Sequence, residues 1–590
     1  MKQFFKFVTA SCLGVFLGLG VMALFFAGYL GSLAGKKPVV PKKTVLEIDL
    51  SAGVPEMTGN VEVSPFDLQS GTEKVGLDKI TKLLEHAATD KKVGGLLIKG
   101  NGVGAGAATA ASIRESLLKF KESGKFVYSY ADMYSQSGYY LGSVADSVFL
   151  NPNGMVDLKG YASFMPFFKD AFDKLGVKMN VFYAGNFKSA TEPYRRSEMS
   201  EPSKIQTREF LESMVDQYKD VVSVSRNMTP EDIDNIMTNY LGKNAQSSLE
   251  SGLVDGIVYY DEVEALIRKK LDIKADKKIK LKSLTKYMNA VTLESESKAK
   301  DKVAVVYAEG TIEYGTNTKG SVSEEKYSKI LEKIINDDKI KAMVLRVNSG
   351  GGSSLTSDII WRGVERVKAA GKPVVASFGD YAASGGYYIA AGADTIVSAP
   401  NCLTGSIGVF MMFPNLSGLV SDKLGVNFDD VRTHPMAVGL SPMVDLNEQE
   451  KNLLQESTEE VYETFLKRVA DGRGMTRDEV HEVAQGRVWT GNKALELGLV
   501  DVIGGIDDAI KIASDMADLE SYKIKTYPSI KTTFMDQVIK GIEESTNASA
   551  ALGLELDQAD AEMLSQYHEL RSLLLDRTPQ ARLPFLVKMD

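Results

Sequence analysis

The feature of this sequence that most restricts its fold is an internal repeat with nearly constant spacing. Gly124–Lys125 recurs as Gly371–Lys372, and 247 positions also separate Ser137–Gly138 from Ser384–Gly385. One inserted residue, Gly386, then moves the offset to 248. Further matching pairs are Tyr139–Tyr140 with Tyr387–Tyr388, Pro152–Asn153 with Pro400–Asn401, and Gly252–Asp255 with Gly498–Asp501. Such regular self-similarity is typical of duplication, so we predict two copies of one domain.

The repeat and its flanking segments divide the chain, whose 590 residues exceed what one hydrophobic core normally holds. We place the boundaries where the self-similarity and the composition change. The predicted parts are an N-terminal tail (1–6), a transmembrane anchor (7–35), the first copy (36–272), a lysine-rich polar linker (273–301), the second copy (302–526) and a helical, acidic C-terminal extension (527–590).

The N-terminal segment predicts a membrane anchor. Residues 7–35 contain no charged side chain, and about 20 apolar residues suffice to cross the hydrocarbon core as a helix. The alternative is a cleaved signal peptide, since Ser32–Ala34 has the small-x-small pattern of a cleavage site. The apolar region of a signal peptide is only about 7–15 residues long, so the length favours an uncleaved anchor. Lysines on both sides leave the orientation open.

Within each copy the hydrophobic pattern is that of an α/β domain. Short apolar runs, Val93–Ile98 and Ala342–Val347, predict buried strands that each enter a glycine-rich turn. A helical pattern over Ser357–Ala370 follows the second of these runs. Longer amphipathic helices are expected around 201–225 and 447–470.

Composition and charge exclude several functions. A net charge of −9 argues against a nucleic-acid partner bound through a basic surface. The two cysteines, Cys12 and Cys402, are too few for a disulfide framework. Only four histidines occur, and none are paired at helical spacing, so a histidine-rich metal site is not expected. We predict no metal and no cofactor.

The two copies differ in their glycine-rich loops, and the differences predict where chemistry takes place. The second copy has Arg346–Ser353 (RVNSGGGS) where the first has Lys99–Gly106 (KGNGVGAG). The second copy also places Ser384 directly before two glycines, where the first copy has one. Glycine loops can turn backbone N–H groups toward an oxyanion. A serine hydroxyl beside such a group is placed as an acyl-transfer nucleophile requires.

A serine nucleophile needs a base, and Lys188 is the candidate. His434 and His481 lie in segments that give neither an obvious role. Lys188 is flanked by aromatic and small residues, which favours burial. To act as a base its pKa has to fall from about 10.4 to nearer 7–8, roughly 4 kcal/mol, and burial can supply such a shift. Near the matching position of the second copy stands Met436, so base and nucleophile are predicted to come from different copies.

Five segments together closely resemble the signal peptide peptidase A family in its long, duplicated bacterial form. They are RVNSGGGS (346–353), GDYAASGGYYIA (379–390), LTGSIGVF (403–410), GNFKSATEPYRR (185–196) and GRVWTG (486–491). The resemblance extends from the anchor to about residue 526. It implies a single-pass, membrane-anchored serine endopeptidase with a Ser/Lys dyad, built as α/β tandem ClpP/crotonase-like domains of ββα superhelical repeats.

The resemblance also implies individual roles and partners. Ser384 matches the nucleophile, Lys188 the general base, and Ser406 a second serine that orients the lysine. Gly385 and Gly351 match the two positions whose N–H groups form the oxyanion hole. The implied substrates are signal peptide remnants and hydrophobic peptides. The implied assembly is a homotetramer at the cell inner membrane, with the catalytic domain on the periplasmic side.

Alternatives remain open at this point. Ser137 precedes Lys188 by 51 residues in the same copy, and single-copy relatives have that order. The missing second glycine argues against Ser137. The chain could also be an inactive membrane scaffold of the same fold, or a crotonase-like acyl-CoA enzyme with the same oxyanion hole. Gly350 stands where the family usually has proline, which predicts an altered rate or loop order and not loss of activity.

Overall fold

The computed structural model describes residues 39–60, 74–293, 298–315, 320–529 and 579–582. The predicted N-terminal tail and transmembrane anchor lie outside these residues, and so does most of the predicted C-terminal extension. Within the described ranges, no helix combines the length and the apolar character that crossing a bilayer requires.

The strands of the first copy build a parallel sheet. They are β1 (Thr44–Leu50), β2 (Val93–Val103), β3 (Phe126–Ala131), β4 (Ser147–Leu150), β5 (Lys178–Ala184), β6 (Gly256–Ile257) and β7 (Lys280–Ser283). All except β5 form a six-stranded sheet in the order β6-β4-β3-β2-β1-β7, with every pair parallel. The predicted strand Val93–Ile98 lies within β2, and β7 comes from the segment predicted as a linker.

Helices cover both faces of this sheet. They are α1 (Leu77–Thr89), α2 (Ala107–Lys121), α3 (Gln136–Gly142), α4 (Lys169–Leu175), α5 (Glu192–Arg195), α6 (Glu201–Arg226), α7 (Pro230–Thr238), α8 (Ala245–Glu250), α9 (Tyr260–Lys270) and α10 (Leu284–Met288). Alternate strand residues point to opposite faces. Leu46 and Leu96 lie in the large core with α1 and α2, whereas Val45 and Leu97 pack against α9.

The second copy repeats this arrangement. Its strands are β8 (Lys302–Glu309), β9 (Ile312–Glu313), β10 (Val322–Ser323), β11 (Ile340–Ser349), β12 (Gly351–Ser353), β13 (Val374–Ala383), β14 (Thr395–Ser398), β15 (Leu403–Gly405), β16 (Val409–Asn415), β17 (Val488–Thr490), β18 (Val502–Ile503) and β19 (Lys523–Tyr527). The order β19-β8-β11-β13-β14-β18 corresponds, strand for strand, to β7-β1-β2-β3-β4-β6 of the first sheet. The predicted duplication is therefore confirmed.

The helices of the second copy begin and end at recognisable signals. They are α11 (Glu324–Asn336), α12 (Ser354–Ala369), α13 (Gly385–Ala390), α14 (Glu448–Arg473), α15 (Arg477–Val483), α16 (Gly491–Glu496) and α17 (Ile506–Met516). Asn447 and Glu450 form a capping box at the start of α14, and Gly474 ends it at a φ of +65°. The long helices predicted around 201–225 and 447–470 are confirmed as α6 and α14.

A third, mixed sheet joins the two copies. Its order is β10-β9-β12-β20-β16-β5, where β20 (Gln580–Arg582) comes from the C-terminal extension. Strand β5 of the first copy pairs antiparallel with β16 of the second from Lys178–Asn415 through Ala184–Val409. The chain is thus a tandem α/β structure whose copies share one sheet.

A buried ion pair also connects the copies. Glu56, from the segment after β1, accepts two hydrogen bonds of 2.9 Å from the Arg346 guanidinium on β11. Arg346 also donates to Ser377 Oγ on β13. Nearby, the Asp380 carboxylate accepts from Thr109 N at 2.8 Å and Thr109 Oγ1 at 2.7 Å, at the start of α2, where a negative charge is favoured. Two pairs, Glu56 with Arg346 and Thr109 with Asp380, therefore connect the copies through buried hydrogen bonds.

Replacement of Arg346 by methionine is expected to destabilise the protein by about 3–5 kcal/mol, because it leaves the Glu56 carboxylate buried and unpaired. Glu56 is 2% and Arg346 3% exposed. Urea unfolding followed by circular dichroism measures the change. Arg366→Met is the matched control, since the Arg366–Glu332 pair is about half exposed and is expected to contribute less than about 1 kcal/mol. Equal losses for the two variants would contradict this prediction.

Candidate active site

The pairing of β5 with β16 brings residues from the two copies together. Val409 lies opposite Ala184 at the end of this antiparallel ladder. In such a ladder, the residues that follow one strand lie beside those that precede the other. Lys188 follows Ala184 by four positions, and Ser406 precedes Val409 by three. The register of two strands therefore places Lys188 beside Ser406.

The lysine amine lies among two serines in a buried space. Lys188 Nζ is 2.7 Å from Ser384 Oγ, 3.0 Å from Ser406 Oγ and 3.1 Å from the Ser406 carbonyl oxygen. Lys188 is 1% exposed, and both serines are fully buried. Burial lowers the pKa of Lys188 well below its ordinary value, because removal of water destabilises the ammonium form. The site thus favours a neutral amine in contact with a hydroxyl group.

Ser384 occupies a sharp turn between the end of β13 and the start of α13. Its φ is +55° and its ψ is −117°, a conformation that side-chain-bearing residues rarely adopt and that stores about 1–3 kcal/mol of strain. Ser384 N donates to the Gly405 carbonyl oxygen at 2.8 Å, and Tyr388 N donates to the Ser384 carbonyl oxygen at 2.8 Å. Ser406 also has a positive φ, +48°. The surrounding backbone therefore holds both serines in strained positions.

The two glycines predicted to form the oxyanion hole lie next to each other. A methyl group added at Gly351 would come within 2.7 Å of Gly385 N. Gly385 begins α13, and the first amides of a helix have no acceptor within the helix. Gly351 N donates to Ser349 Oγ at 3.1 Å, so this hydrogen bond has to be shared or broken before that amide can hold an oxyanion.

Ser137, the alternative nucleophile, has a different environment. It lies inside α3, and its Oγ accepts a hydrogen bond from Val103 N at 3.1 Å. Ser135 Oγ lies 3.3 Å away. The hydroxyl group of Ser137 therefore binds the glycine-rich loop of the first copy at Val103. The serines that contact the Lys188 amine are Ser384 and Ser406.

The two histidines of the second copy lie in other surroundings. His434 is exposed and its ring Nδ1 is 3.2 Å from Thr433 Oγ1. His481 Nδ1 is 3.0 Å from the Tyr462 hydroxyl group. The partner of His434 is the preceding residue, the partner of His481 lies on the neighbouring helix α14, and neither partner is Ser384.

Gln206, on α6, supports the lysine loop and was not predicted from the sequence. Its Nε2 donates to the Phe187 carbonyl oxygen at 3.1 Å and to Ser189 Oγ at 3.0 Å. Its Oε1 accepts from Val488 N at 3.1 Å. The amide side chain thus connects the residues on either side of Lys188 to strand β17 of the second copy.

Gly486 is the second supporting residue that the sequence analysis did not assign. Its φ is +81°, and a methyl group there would lie 2.7 Å from backbone atoms of Lys188. The next residue, Arg487, accepts a 2.7 Å hydrogen bond from Ser406 N through its carbonyl oxygen. A side chain at Gly486 would push the lysine loop away from the serine that contacts its amine.

Comparison with known proteins gives consistent results. The sequence profile of Peptidase family S49 matches residues 119–274 and 366–520, one match in each copy. Protease 4 of Salmonella typhi is 34% identical over 478 residues, which cover 80% of this chain and 76% of that protein. Serine protease SPPA, chloroplastic, of Arabidopsis thaliana is 31% identical over 483 residues, which cover 80% of this chain and 70% of that protein. A ClpP1 variant from Listeria monocytogenes superposes with a TM-score of 0.24 at 16% identity, over 35% of this chain and 94% of that one.

Proposed function

Because this chain belongs to peptidase family S49 and is therefore a serine protease, we propose that it cleaves peptide bonds with a dyad of Ser384 and Lys188. The observation that carries the proposal is the 2.7 Å distance between Lys188 Nζ and Ser384 Oγ in a buried space. A neutral amine at this distance can accept the hydroxyl proton, which is the activation a serine nucleophile needs.

The proposed mechanism is acyl transfer in two steps. Lys188 takes the proton of Ser384 as Oγ attacks the scissile carbonyl carbon, and the amide of Gly385 stabilises the oxyanion with that of Gly351. Lys188 then gives the proton to the leaving amine. In the second step it activates a water molecule that hydrolyses the acyl-enzyme. Ser406 orients the lysine through its hydroxyl and carbonyl oxygens, both within 3.1 Å of Nζ.

The family resemblance supports further proposals about the biological setting. We propose that the folds of the two copies are ClpP/crotonase-like and that residues 7–35 anchor the chain in the inner membrane, with the catalytic copies on the periplasmic side. The proposed substrates are signal peptide remnants and other hydrophobic peptides, and the proposed assembly is a homotetramer. Since both dyad residues come from one chain, assembly is not needed to complete the dyad.

The test is the pH dependence of covalent capture by a fluorophosphonate. The phosphonylation rate is expected to reach a plateau well below pH 10 and to fall about tenfold per pH unit beneath the lowered pKa of Lys188, because only the neutral amine accepts the proton. Reactions quenched at a series of times and analysed by mass spectrometry give the phosphonylation rate and identify the modified residue, which is expected to be Ser384.

Ser137 is the internal control for this experiment, since its hydroxyl group is already used as an acceptor. A rate that keeps rising beyond pH 10, as an ordinary lysine with a pKa of about 10.4 would produce, would show that Lys188 is not the base. Capture at Ser137, or at neither serine, would reject the proposed nucleophile, and the second outcome would favour the scaffold alternative.

A further inference from the structure

A strand from the C-terminal segment of the same chain lies beside the candidate active site. It fills the space between β12 and β16, hereafter called the cleft. Strand β20 lies between β12 and β16 and pairs antiparallel with both. Gln580, Ala581 and Arg582 are 3%, 0% and 7% exposed. Ser354 N and Oγ donate to the Pro579 carbonyl oxygen at 3.2 and 2.8 Å. The segment is therefore built into the sheet and does not rest on its surface.

Removal of β20 would leave two strand edges facing each other. The edge of β12 that faces away from β20 pairs with β9, and the edge of β16 that faces away from β20 pairs with β5. Among the described residues, β20 alone fills the space between β12 and β16. Two opposed edges, one strand width apart, are a binding site for an extended peptide. The backbone N–H and C=O groups of such edges bind a strand whatever its side chains.

The register of β20 places one of its carbonyl groups at the predicted oxyanion hole. A methyl group on Gly351 would lie 1.9 Å from the Ala581 carbonyl oxygen and 2.7 Å from Gly385 N, so both atoms border the same small space. A methyl group on Gly385 would lie 3.1 Å from the same oxygen. A scissile carbonyl has to point into this space for its oxyanion to be stabilised. The bond between Ala581 and Arg582 thus lies where a scissile bond is expected.

We propose that residues 579–582 occupy the place of a peptide substrate and act as an intramolecular competitive inhibitor, with Ala581 at the acyl position. The assignment of the acyl position rests on the proposed dyad, whereas the gap between β12 and β16 does not. A substrate has to displace β20, so its apparent Kd is the intrinsic Kd divided by the fraction of chains with an open cleft. Because the Ala581 side chain is fully buried, the acyl position selects a small side chain.

The first test measures peptide binding without catalysis. Two chains that carry Ser384→Ala, one full-length and one lacking residues 579–590, are titrated with a fluorescein-labelled peptide of residues 577–584, RTPQARLP. Fluorescence anisotropy is expected to give an apparent Kd about tenfold or more lower for the shortened chain. The peptide RTPQWRLP, with a bulky residue at the acyl position, is expected not to bind. Equal Kd values for the two chains would overturn the proposal.

The second test keeps the chain at full length. Ala581→Trp does not fit the buried position and is expected to expel β20, which lowers KM for a fluorogenic peptide about tenfold and leaves kcat unchanged. Deletion of residues 583–590 alone leaves β20 in place and is the matched control, with the KM of the parent chain. A higher KM in Ala581→Trp, at an unchanged unfolding temperature, would show that β20 completes the site and does not block it.

The outcomes separate this proposal from that of the dyad. If Ser384→Ala remains active while the shortened chain still binds the peptide more tightly than the full-length chain, the proposed dyad is wrong and the proposal that β20 occupies the cleft is supported. If Ser384→Ala is inactive and the two chains bind the peptide equally, the occupied cleft is wrong and the dyad stands. Intact-mass measurement of the parent chain adds a register test, since hydrolysis of the 581–582 bond by one water molecule would release residues 582–590 and support the assignment of Ala581.

Discussion

Replacement of Ser384 by alanine is expected to lower kcat for peptide hydrolysis by about 10⁴-fold or more, the usual scale for loss of a serine nucleophile. The attacking oxygen would be absent, and Lys188 would lose the hydroxyl group 2.7 Å from its amine. The fold should tolerate the change, because alanine is smaller than serine and Ser384 N keeps its hydrogen bond to Gly405 O. Release of a fluorophore from a hydrophobic peptide, measured across substrate concentrations, separates kcat from KM.

The matched control for this variant is Ser137→Ala in the first copy. Ser137 stands at the repeat position of Ser384, but its Oγ accepts from Val103 N. Its removal is expected to cost about 1 kcal/mol of stability and to leave kcat unchanged. If Ser137→Ala loses kcat and Ser384→Ala keeps it, the nucleophile is Ser137 of the first copy.

Replacement of Lys188 by methionine is expected to lower kcat by about 10²–10⁴-fold, the typical contribution of a positioned general base. Methionine is unbranched and apolar, so it can fill the buried space of the lysine side chain, and KM should change little. Lys188→Arg is expected not to restore activity, because a guanidinium stays protonated with a pKa above 12. The residual rate of Lys188→Met should also lose the dependence on the lowered pKa of the lysine.

Lys372 provides the control for this variant. It is also a buried lysine with a pKa lowered by burial, but its Nζ donates to backbone carbonyls, including Ile335 O at 2.9 Å and Asp337 O at 3.0 Å. Lys372→Met is therefore expected to reduce stability and to leave kcat and its pH profile as in the parent chain. A similar loss of kcat in both variants would mean that burial of a lysine, and not its place beside Ser384, explains the effect.

The residues of the candidate dyad could be nominated from the sequence because each has a local signature. Ser384 is followed by two glycines where its repeat partner Ser137 is followed by one, and Lys188 stands among aromatic and small residues. Their contact was predicted from the family resemblance and not from local pattern, since 196 positions separate them. It depends on the register of β5 against β16, and strand register is decided by long-range pairing.

The supporting residues were missed for a related reason. Gln206 lies four residues before Phe210, on the buried side of α6, and a polar residue at such a core position is a signal that could have been read. Its three hydrogen-bond partners, however, come from a loop and from a strand of the other copy. The helical pattern shows that Gln206 is buried but not what it binds.

The C-terminal extension shows the limit of local pattern most clearly. The sequence predicts helix for residues 527–590, yet Gln580–Arg582 form a strand. Neither glutamine, alanine nor arginine favours a strand strongly, and strand formation depends on the neighbouring edges more than on the residue itself. Here the edges belong to β12 and β16, far away in the chain.

The duplication, the α/β class and the family follow from the amino-acid order alone, because repeats, hydrophobic periods and glycine-rich motifs are encoded in neighbouring residues. Which serine meets the lysine, how strongly burial lowers the pKa of its amine, and what lies in the cleft follow only from the folded chain. Distance and desolvation arise when segments hundreds of residues apart pair in one sheet, and no local pattern specifies that pairing.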